Sequence, residues 1–152
     1  VGLGAPYWDE RARGVIVGIT RGTKREHVIR AALEAIAYQS RDLVECMESD
    51  AGLRPAALRV DGGACRNAFL MQFQADLLGI PVERPRMLEV TAFGAAALAG
   101  LGVGLFRDRS ELESVTADGA TRFEPRLEAA WRDASYAGWK RAVVRARGWE
   151  QA

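Results

Sequence analysis

The stretch RVDGGACRNAFLMQFQADLLG, Arg59–Gly79, decides the fold because it joins a predicted strand to a predicted helix through two consecutive glycines. A short apolar strand, Ala56–Val60, leads into the glycines, and apolar side chains recur at helical spacing after Asn67. Asn67 is a favourable N-cap, so we expect the helix to run from Ala68 to Leu78. Its inner face should be formed by Phe69, Phe73 and Leu77.

Gly62 and Gly63, the two glycines of this turn, admit two interpretations. Glycine has no Cβ atom, so a ligand can lie directly against the backbone, and a helix that begins there offers free N–H groups to phosphate oxygens. The carboxamide of Asn67 can donate to and accept from a base or ribose edge. The alternative is an ordinary strand-to-helix turn with an asparagine cap, in which Asp61 caps the turn instead of reaching a nucleotide or its magnesium. The local sequence leaves both open.

The remainder of the chain alternates strands and helices. We predict further strands at Gly14–Thr20 and Ile80–Pro85, the latter near a sheet edge because prolines bracket it, and further helices from Thr23 to Gly52, at Glu89–Gly104, and from about Leu127 to Trp149. The charged region Ser110–Phe123 is predicted to be irregular. This alternation favours an α/β layer with at least some parallel strands.

The long helix after Thr20 has a predicted start and a predicted buried face. Thr23 and Glu26 have the spacing of a capping box, and Gly52 followed by Pro55 should end the helix. The apolar residues that recur at helical spacing predict one continuous buried stripe, formed by Ile29, Leu33, Ile36, Leu43 and Met47.

Length and composition indicate one soluble globular domain. The 152 residues carry a net charge of +1, which gives no bulk electrostatic case for binding nucleic acid or membranes. Cys46 and Cys65 lack CxxC spacing and histidine neighbours, so we predict reduced thiols in a cytoplasmic protein and neither a disulfide nor a metal site. The chain opens in mid-motif without a methionine, so we expect it to be a segment of a longer protein.

Other candidate motifs are weaker. His27 is the only histidine, so a Ser-His-Asp triad has no convincing base, and we interpret His27 as a solvated surface residue. GITRGTK, Gly18–Lys24, lacks the glycine spacing of a phosphate-binding loop, and GLGVG, Gly100–Gly104, ends a helix instead of starting one.

Several stretches together resemble the FGGY carbohydrate kinase family, and within it the glycerol kinases. GLGAPYWD followed by ARG is similar to the glycerol kinase version of the family, and GITRGTKREHVIRAALEAIA resembles the family's second signature. LRVDGGACRNAFLMQFQADLLGIPVERP resembles its adenosine motif, and EVTAFGAAALAGLGVG and YAGWKRAV continue the similarity. The resemblance covers nearly the whole chain.

The resemblance implies a fold and a reaction. It implies a ribonuclease-H-like domain of the actin and hexokinase superfamily, of which residues 1–152 would form most of the C-terminal domain, without the start of that domain and without the N-terminal domain. It also implies an enzyme that uses ATP and Mg²⁺ to phosphorylate glycerol to sn-glycerol 3-phosphate, and that assembles as a homo-oligomer, a dimer or tetramer. The alternatives are an FGGY kinase for another polyol or sugar and a non-catalytic actin-like module that binds nucleotide.

The resemblance also assigns roles to residues. Gly62, Gly63 and Asn67 match the positions that lie against the adenosine part of the nucleotide. The family's aspartate general base and its glycerol-binding residues match positions upstream of Val1, so we expect no catalytic and no metal-binding residue in this chain. We therefore expect the chain alone to be inactive as a kinase.

Overall fold

A computed structural model describes the backbone of residues 2–116 and 119–150. In this part of the chain a three-stranded sheet is combined with five α-helices. The strands are β1 (Leu58–Arg59), β2 (Val82–Arg84) and β3 (Thr121–Phe123), and the helices are α1 (Arg25–Ala51), α2 (Ala68–Leu78), α3 (Val90–Gly102), α4 (Arg109–Thr116) and α5 (Ala129–Ala146). The α/β class that the sequence predicts is confirmed.

The centre of the fold is the unit predicted from Arg59–Gly79. Strand β1 leads into a 3-10 turn, Gly63–Arg66, and then into α2. The side chain of Asn67 caps α2, since its Oδ1 accepts the backbone N–H of Leu70 at 3.1 Å. Helix α2 fills the core, which consists of Leu70, Met71, Phe73, Ala75 and Leu77 together with Ala37, Cys65 and Val82. Phe69, the first residue of the predicted inner face, is 40% exposed.

The sheet differs from the prediction in one respect that matters for topology. Strand β2 is central: it pairs in parallel with β1 and antiparallel with β3. The predicted edge position was wrong because Pro81 and Pro85 flank the three paired residues instead of interrupting them. Pro81 contributes only its carbonyl, which accepts the N–H of Leu58 at 2.8 Å.

The region Ser110–Phe123, predicted to be irregular, contains most of α4 and all of β3. Strand β3 has only three residues, and it is held by its pairing with β2 and by its own half-buried Phe123, which packs against the core. Such a strand has no period that a sequence can show, because its partner supplies the hydrogen bonds. Helices α3 and α5 lie where they were predicted, with ends a few residues inside the predicted ones.

The segment Gly14–Thr20 is not a strand in this structure. Its residues pair with no other strand among the described residues, and Ile16, Val17 and Ile19 are all more than half exposed. A strand needs a partner for its N–H and C=O groups, and β1, itself at the edge of the described sheet, is not paired with this segment. The β-branched sequence therefore remains unpaired.

Helix α1 begins and packs differently from the prediction. Lys24, not Thr23, is the N-cap, and His27 Nδ1 accepts the N–H of Lys24 at 3.1 Å. The Oγ1 atom of Thr23 instead accepts the N–H of Thr20. His27 is exposed, as predicted, but it also has this capping contact. Gly52, in the left-handed conformation, ends the helix as predicted.

The predicted buried stripe of α1 is largely exposed in the described structure. Ile29, Ile36, Leu43 and Met47 are between 45% and 60% exposed. The residues of α1 that are buried are Ala37 and Asp42, which face α2 and α5. Helix α1 therefore packs against its neighbours with a different face from the apolar face that the sequence pattern predicts to be buried.

Asp42 joins three parts of the chain. Its Oδ1 accepts the hydroxyl groups of Tyr7, at 3.0 Å, and Tyr136, at 2.5 Å, and its Oδ2 accepts the indole N–H of Trp139 at 2.8 Å. These donors come from the opening loop and from α5. The carboxylate, only 3% exposed, is therefore satisfied by three side-chain donors and fixes α5 and the loop to α1.

Candidate functional site

The glycine turn is held by the backbone on both sides of Gly62. The N–H of Gly62 donates to the carbonyl of Leu88 at 3.0 Å, and the carbonyl of Gly62 accepts both the N–H and the thiol of Cys65, at 3.3 and 2.8 Å. The contact with Leu88 places the turn beside the residues that lead into α3. The starts of α2 and α3 therefore lie near each other at this turn.

Gly62 is required by the backbone. Its φ of 84° and ψ of 177° lie in a region that is essentially restricted to glycine. A Cβ atom built at Gly62 would meet no atom within 4 Å. Conformation alone therefore explains this glycine.

Gly63 is not explained in this way. Its φ lies outside the left-handed region, and a Cβ atom built on it would also meet nothing within 4 Å. Among the described residues, neither backbone conformation nor packing requires a glycine at this position. The open space above Gly63 is what a ligand lying against the backbone would need.

Asn67 has both a structural contact and a free donor. Its Oδ1 caps α2, which is the structural interpretation that the sequence left open. The residue is exposed, and within the described part of the chain its Nδ2 group has no hydrogen-bond partner. The side chain is therefore fixed at its oxygen and can still donate to a ligand in the open space beside Gly63.

The start of α3 adds further unsatisfied donors. Glu89, its N-cap residue, makes no side-chain cap hydrogen bond, and it lies 4.0 Å from the guanidinium of Arg66 on the glycine turn. The first N–H groups of a helix carry a partial positive charge, which favours an anionic ligand. Two helix starts beside one open glycine make the turn suitable for a phosphorylated molecule.

The described residues provide little for a metal ion. They contain no group of three or more histidine, cysteine, aspartate or glutamate residues placed to hold one. Asp61 is exposed, and its carboxylate has no hydrogen-bond partner among them, so the turn-capping interpretation of this residue finds no support. The described residues alone do not fit a Mg²⁺ site.

The structure also has a cavity that lies away from the glycine turn. A cavity of about 340 Å³ lies between the opening loop and α1, lined by residues that include Leu3, Tyr7, Ile36 and Leu43, and it does not include the glycine turn. No helix in residues 2–116 and 119–150 is long and apolar enough to cross a membrane. Both cysteines are unpaired.

Sequence reasoning found the three residues of the turn but missed what supports them. The structure brings Gly62, Gly63 and Asn67 together, as their spacing implies. Leu88, which accepts from Gly62, and Arg84 of β2, which donates to the turn, lie between 18 and 26 residues after their partners, and the spacing of the turn residues does not indicate either contact.

Comparison with known proteins gives related sequences and structures. A sequence model described as the FGGY family of carbohydrate kinases, C-terminal domain, matches residues 1–103. The chain is 60% identical over 151 residues to a glycerol kinase of Caldanaerobacter subterraneus subsp. tengcongensis and 59% identical over 151 residues to glycerol kinase 2 of Thermotoga maritima. In each case the match covers 99% of this chain and 30% of the relative.

Solved structures are similar over the same extent. The crystal structure of Plasmodium falciparum glycerol kinase with ADP matches with a TM-score of 0.82 and 36% identity, over 95% of this chain and 29% of that one. A ligand-bound xylulose kinase from Lactobacillus acidophilus matches with a TM-score of 0.69 and 25% identity, over 93% of this chain and 28% of that one. The chain thus spans about 30% of the length of its curated relatives. It belongs to the FGGY family of carbohydrate kinases, through the C-terminal domain of that family.

Proposed function

We propose that this chain forms the adenosine side of the ATP site of a glycerol kinase, which transfers the γ-phosphoryl group of ATP to glycerol. Gly62, Gly63 and Asn67 would form this side of the site. The glycerol kinase relatives, which are far more similar in sequence than the xylulose kinase structures, support glycerol as the acceptor. The ADP named for the Plasmodium falciparum structure supports a nucleotide as the ligand.

The observation that carries the proposal is the space at Gly63. The fold needs a glycine at Gly62 but not at Gly63, and the nearby Asn67 is exposed with its Nδ2 group free of hydrogen bonds among the described residues. A nucleotide that lies against the backbone accounts for both features: it fills the space that a Cβ atom would narrow, and it accepts from the amide. An ordinary capped turn is compatible with both features but requires neither.

The rest of the reaction would belong to the rest of a longer kinase, in which residues 1–152 are most of the C-terminal domain. Phosphoryl transfer depends on positioning and on charge stabilisation across a closed cleft. The general base, the glycerol-binding groups and the Mg²⁺ with its ligands would lie outside this chain, and Mg²⁺ would supply charge neutralisation at the phosphates when bound. The chain alone is therefore expected to be inactive.

The exposed apolar surface of the described structure supports this division. Ile16, Val17 and Ile19 are unpaired and exposed, and β1 is an edge strand. Both features have the form of surfaces that further strands of the same domain would cover. A cytoplasmic location and homo-oligomeric assembly belong to the same proposal, and the unpaired thiols of Cys46 and Cys65 support the former.

The test uses the complete polypeptide that contains these residues, assayed by ADP release with glycerol, xylulose, gluconate and no polyol. Turnover that requires glycerol is the expected result. A preference for another polyol would contradict glycerol as the acceptor, and the absence of any polyol-dependent turnover would favour a nucleotide-binding module without kinase activity. The 152-residue chain, run in parallel, should give no turnover.

Two variants test the site. Gly63→Ala narrows the open space, and Asn67→Ser keeps an oxygen cap for α2 while removing the amide donor. Each should raise the KM for ATP by about fivefold to tenfold, the cost of one lost hydrogen bond or a comparable displacement, with the KM for glycerol unchanged. Gly138→Ala is the matched control, because its Cβ would meet only an ordinary contact, to the side chain of Arg141 in α5. An unchanged KM for ATP in both site variants would refute the proposed site.

A further inference from the structure

We propose that Arg84 of β2 is a positioning residue for the nucleotide turn, holding Asn67 and the 3-10 turn Gly63–Arg66 in the geometry that binds ATP. This inference rests on the proposed function. Arg84 lies 19 residues after Cys65 and 18 after Arg66, at the end of the stretch that resembles the adenosine motif, and the resemblance assigns no role to it.

The contacts of Arg84 define its role. Its Nη1 donates to the carbonyl of Cys65 at 3.0 Å and to the carbonyl of Arg66 at 3.4 Å. The guanidinium also lies over the ring of Phe123 on β3, with its carbon 5.3 Å from the ring centroid. No carboxylate pairs with Arg84 in the described part of the chain. The charge is therefore directed at two backbone oxygens and held in place by an aromatic ring.

These two carbonyls are the ones that the turn cannot satisfy by itself. The last C=O groups of a short helical turn have no partner within it, and α2 begins only after Asn67. The N–H of Asn67 bonds back to Ala64, and the N–H of Met71 bonds to Asn67, which leaves Cys65 and Arg66 as acceptors for another group. Arg84 is that group, and a charged donor gives these bonds more strength than a neutral one.

The position of these bonds connects them with binding. Arg66 directly precedes Asn67, and Cys65 is the residue whose N–H and thiol hold the carbonyl of Gly62. One side chain from the central strand therefore fixes the turn between Gly63 and the amide of Asn67. Displacement of a positioning contact by about 1 Å is enough to lower the activity of an enzyme strongly.

Arg122 on the adjacent strand β3 provides a matched control. It lies on the same sheet and is half exposed, but its partners are the carboxylates of Glu83 and Glu124, each at 2.5 Å. Among the described residues it makes no hydrogen bond or ion pair with the glycine turn, so replacing it removes an arginine and its ion pairs from the sheet without disturbing the turn.

The experiment measures the kinetics of the complete polypeptide with Arg84→Gln, Arg84→Lys, Arg122→Gln and Gly63→Ala. Arg84→Gln should raise the KM for ATP on the order of tenfold and leave the KM for glycerol unchanged, because only the nucleotide side of the site moves. Arg84→Lys should restore part of the loss, since an ammonium group can reach one carbonyl but lacks the fork. Arg122→Gln should match the parent. If Arg84→Gln does not fold, Arg84→Lys alone decides, and it should raise the KM for ATP by a smaller factor.

The outcomes separate the two proposals. If Gly63→Ala raises the KM for ATP and both Arg84 variants do not, the positioning role is wrong and the nucleotide site stands. If Gly63→Ala, Asn67→Ser and the Arg84 variants all leave the KM for ATP unchanged, the proposed nucleotide site fails and the role of Arg84 fails with it. Equal changes in the KM for ATP and for glycerol, or equal effects of Arg84→Gln and Arg122→Gln, would show a general loss of structure and overturn the inference.

Discussion

Replacement of Asp42 by alanine should destabilise the chain strongly. The carboxylate is 3% exposed and accepts from three side chains, Tyr7, Tyr136 and Trp139. Alanine removes all three acceptor contacts and leaves the donors in place. Tyr7 is half-buried near an open cavity, so its hydroxyl can turn to water, but Tyr136 is buried and the indole of Trp139 is partly enclosed.

The expected loss in the free energy of unfolding follows from the two buried donors that Asp42→Ala leaves without an acceptor. An unsatisfied buried donor costs about 1 to 3 kcal/mol, so Tyr136 and Trp139 together should lower the free energy of unfolding by about 3 kcal/mol in Asp42→Ala. In Asp42→Asn the carbonyl oxygen still accepts from both tyrosines. The new NH₂ group, however, would face the indole N–H of Trp139, and two donors cannot bond to each other. We expect a loss of about 2 kcal/mol for this variant.

The assay is urea unfolding at pH 7, monitored by tryptophan fluorescence. The dependence of the free energy of unfolding on urea concentration should be the same in variant and parent, which checks two-state behaviour. Asp50→Asn is the control, because Asp50 is an exposed carboxylate on the same helix and its replacement should change stability by less than about 0.5 kcal/mol. A loss below about 1 kcal/mol in Asp42→Ala would refute the reasoning. It would mean that the three contacts only offset the cost of burying the charge.

Three further predictions follow from the same structure. Gly62→Ala should lower the free energy of unfolding by about 1 to 3 kcal/mol, because its φ of 84° excludes a side chain, whereas Gly63→Ala should change it little; the reverse order in urea unfolding would contradict the geometry. Burial, and to a smaller extent the carboxylate of Asp42, raises the pKa of Tyr7 to about 12. The folded state therefore holds the phenol proton up to a higher pH than the unfolded state does, and the free energy of unfolding should fall between pH 10 and pH 12. Tyr7→Phe should reduce that slope, and an identical slope in the variant would count against the assignment. The pKa of Asp9 is lowered, chiefly by the hydrogen bond from the N–H of Gly148, so the contribution of Asp9 to the free energy of unfolding is complete above about pH 4 and is lost as the pH falls through the lowered pKa. Asp9→Asn should therefore flatten the acid side of a curve of stability against pH. An unchanged acid side would show that Asp9 does not contribute.

The parts of the fold that the sequence predicts well are those whose determinants are local. Asn67 caps α2 at the predicted residue, and Gly79 ends it in the left-handed conformation, because both signals act within one turn of the helix. Gly52 ends α1 for the same reason. The predicted N-cap of α1 was wrong by one residue, because the Thr23 hydroxyl accepts the N–H of Thr20 and the N–H of Lys24 donates to the side chain of His27, a type of cap that the sequence pattern does not indicate.

The sheet was predicted less well because its determinants are distant. Pro81 marks an edge strand when read locally, yet β2 is central because the proline lies just outside the paired residues. Strand β3 owes its existence to β2, about 40 residues earlier in the chain. Pairing of this kind depends on contacts between segments, which a local pattern does not contain.

The candidate site also depends on a contact between distant segments that a local sequence pattern does not contain. The motif supplies the residues of the turn, and their geometry separates Gly62, which the backbone requires, from Gly63, which it does not. The support from Arg84 arises only when β2 folds beside the turn. Backbone carbonyls have no side-chain identity, so a residue that binds them leaves no complementary residue type in the sequence.

The errors on α1 and Gly14–Thr20 have one physical cause. Ile29, Ile36 and Leu43 are seven residues apart, so they lie on one face of α1, and they remain about half exposed. Hydrophobic period predicts that a face is covered, but it does not say by which segment. Two apolar surfaces are thus left exposed by the described residues although their sequence predicts burial. One is the face of α1 opposite α2, and the other is formed by Ile16, Val17 and Ile19. The same rule that placed α2 correctly therefore marks the apolar surfaces that, under the proposed function, further parts of the domain would cover.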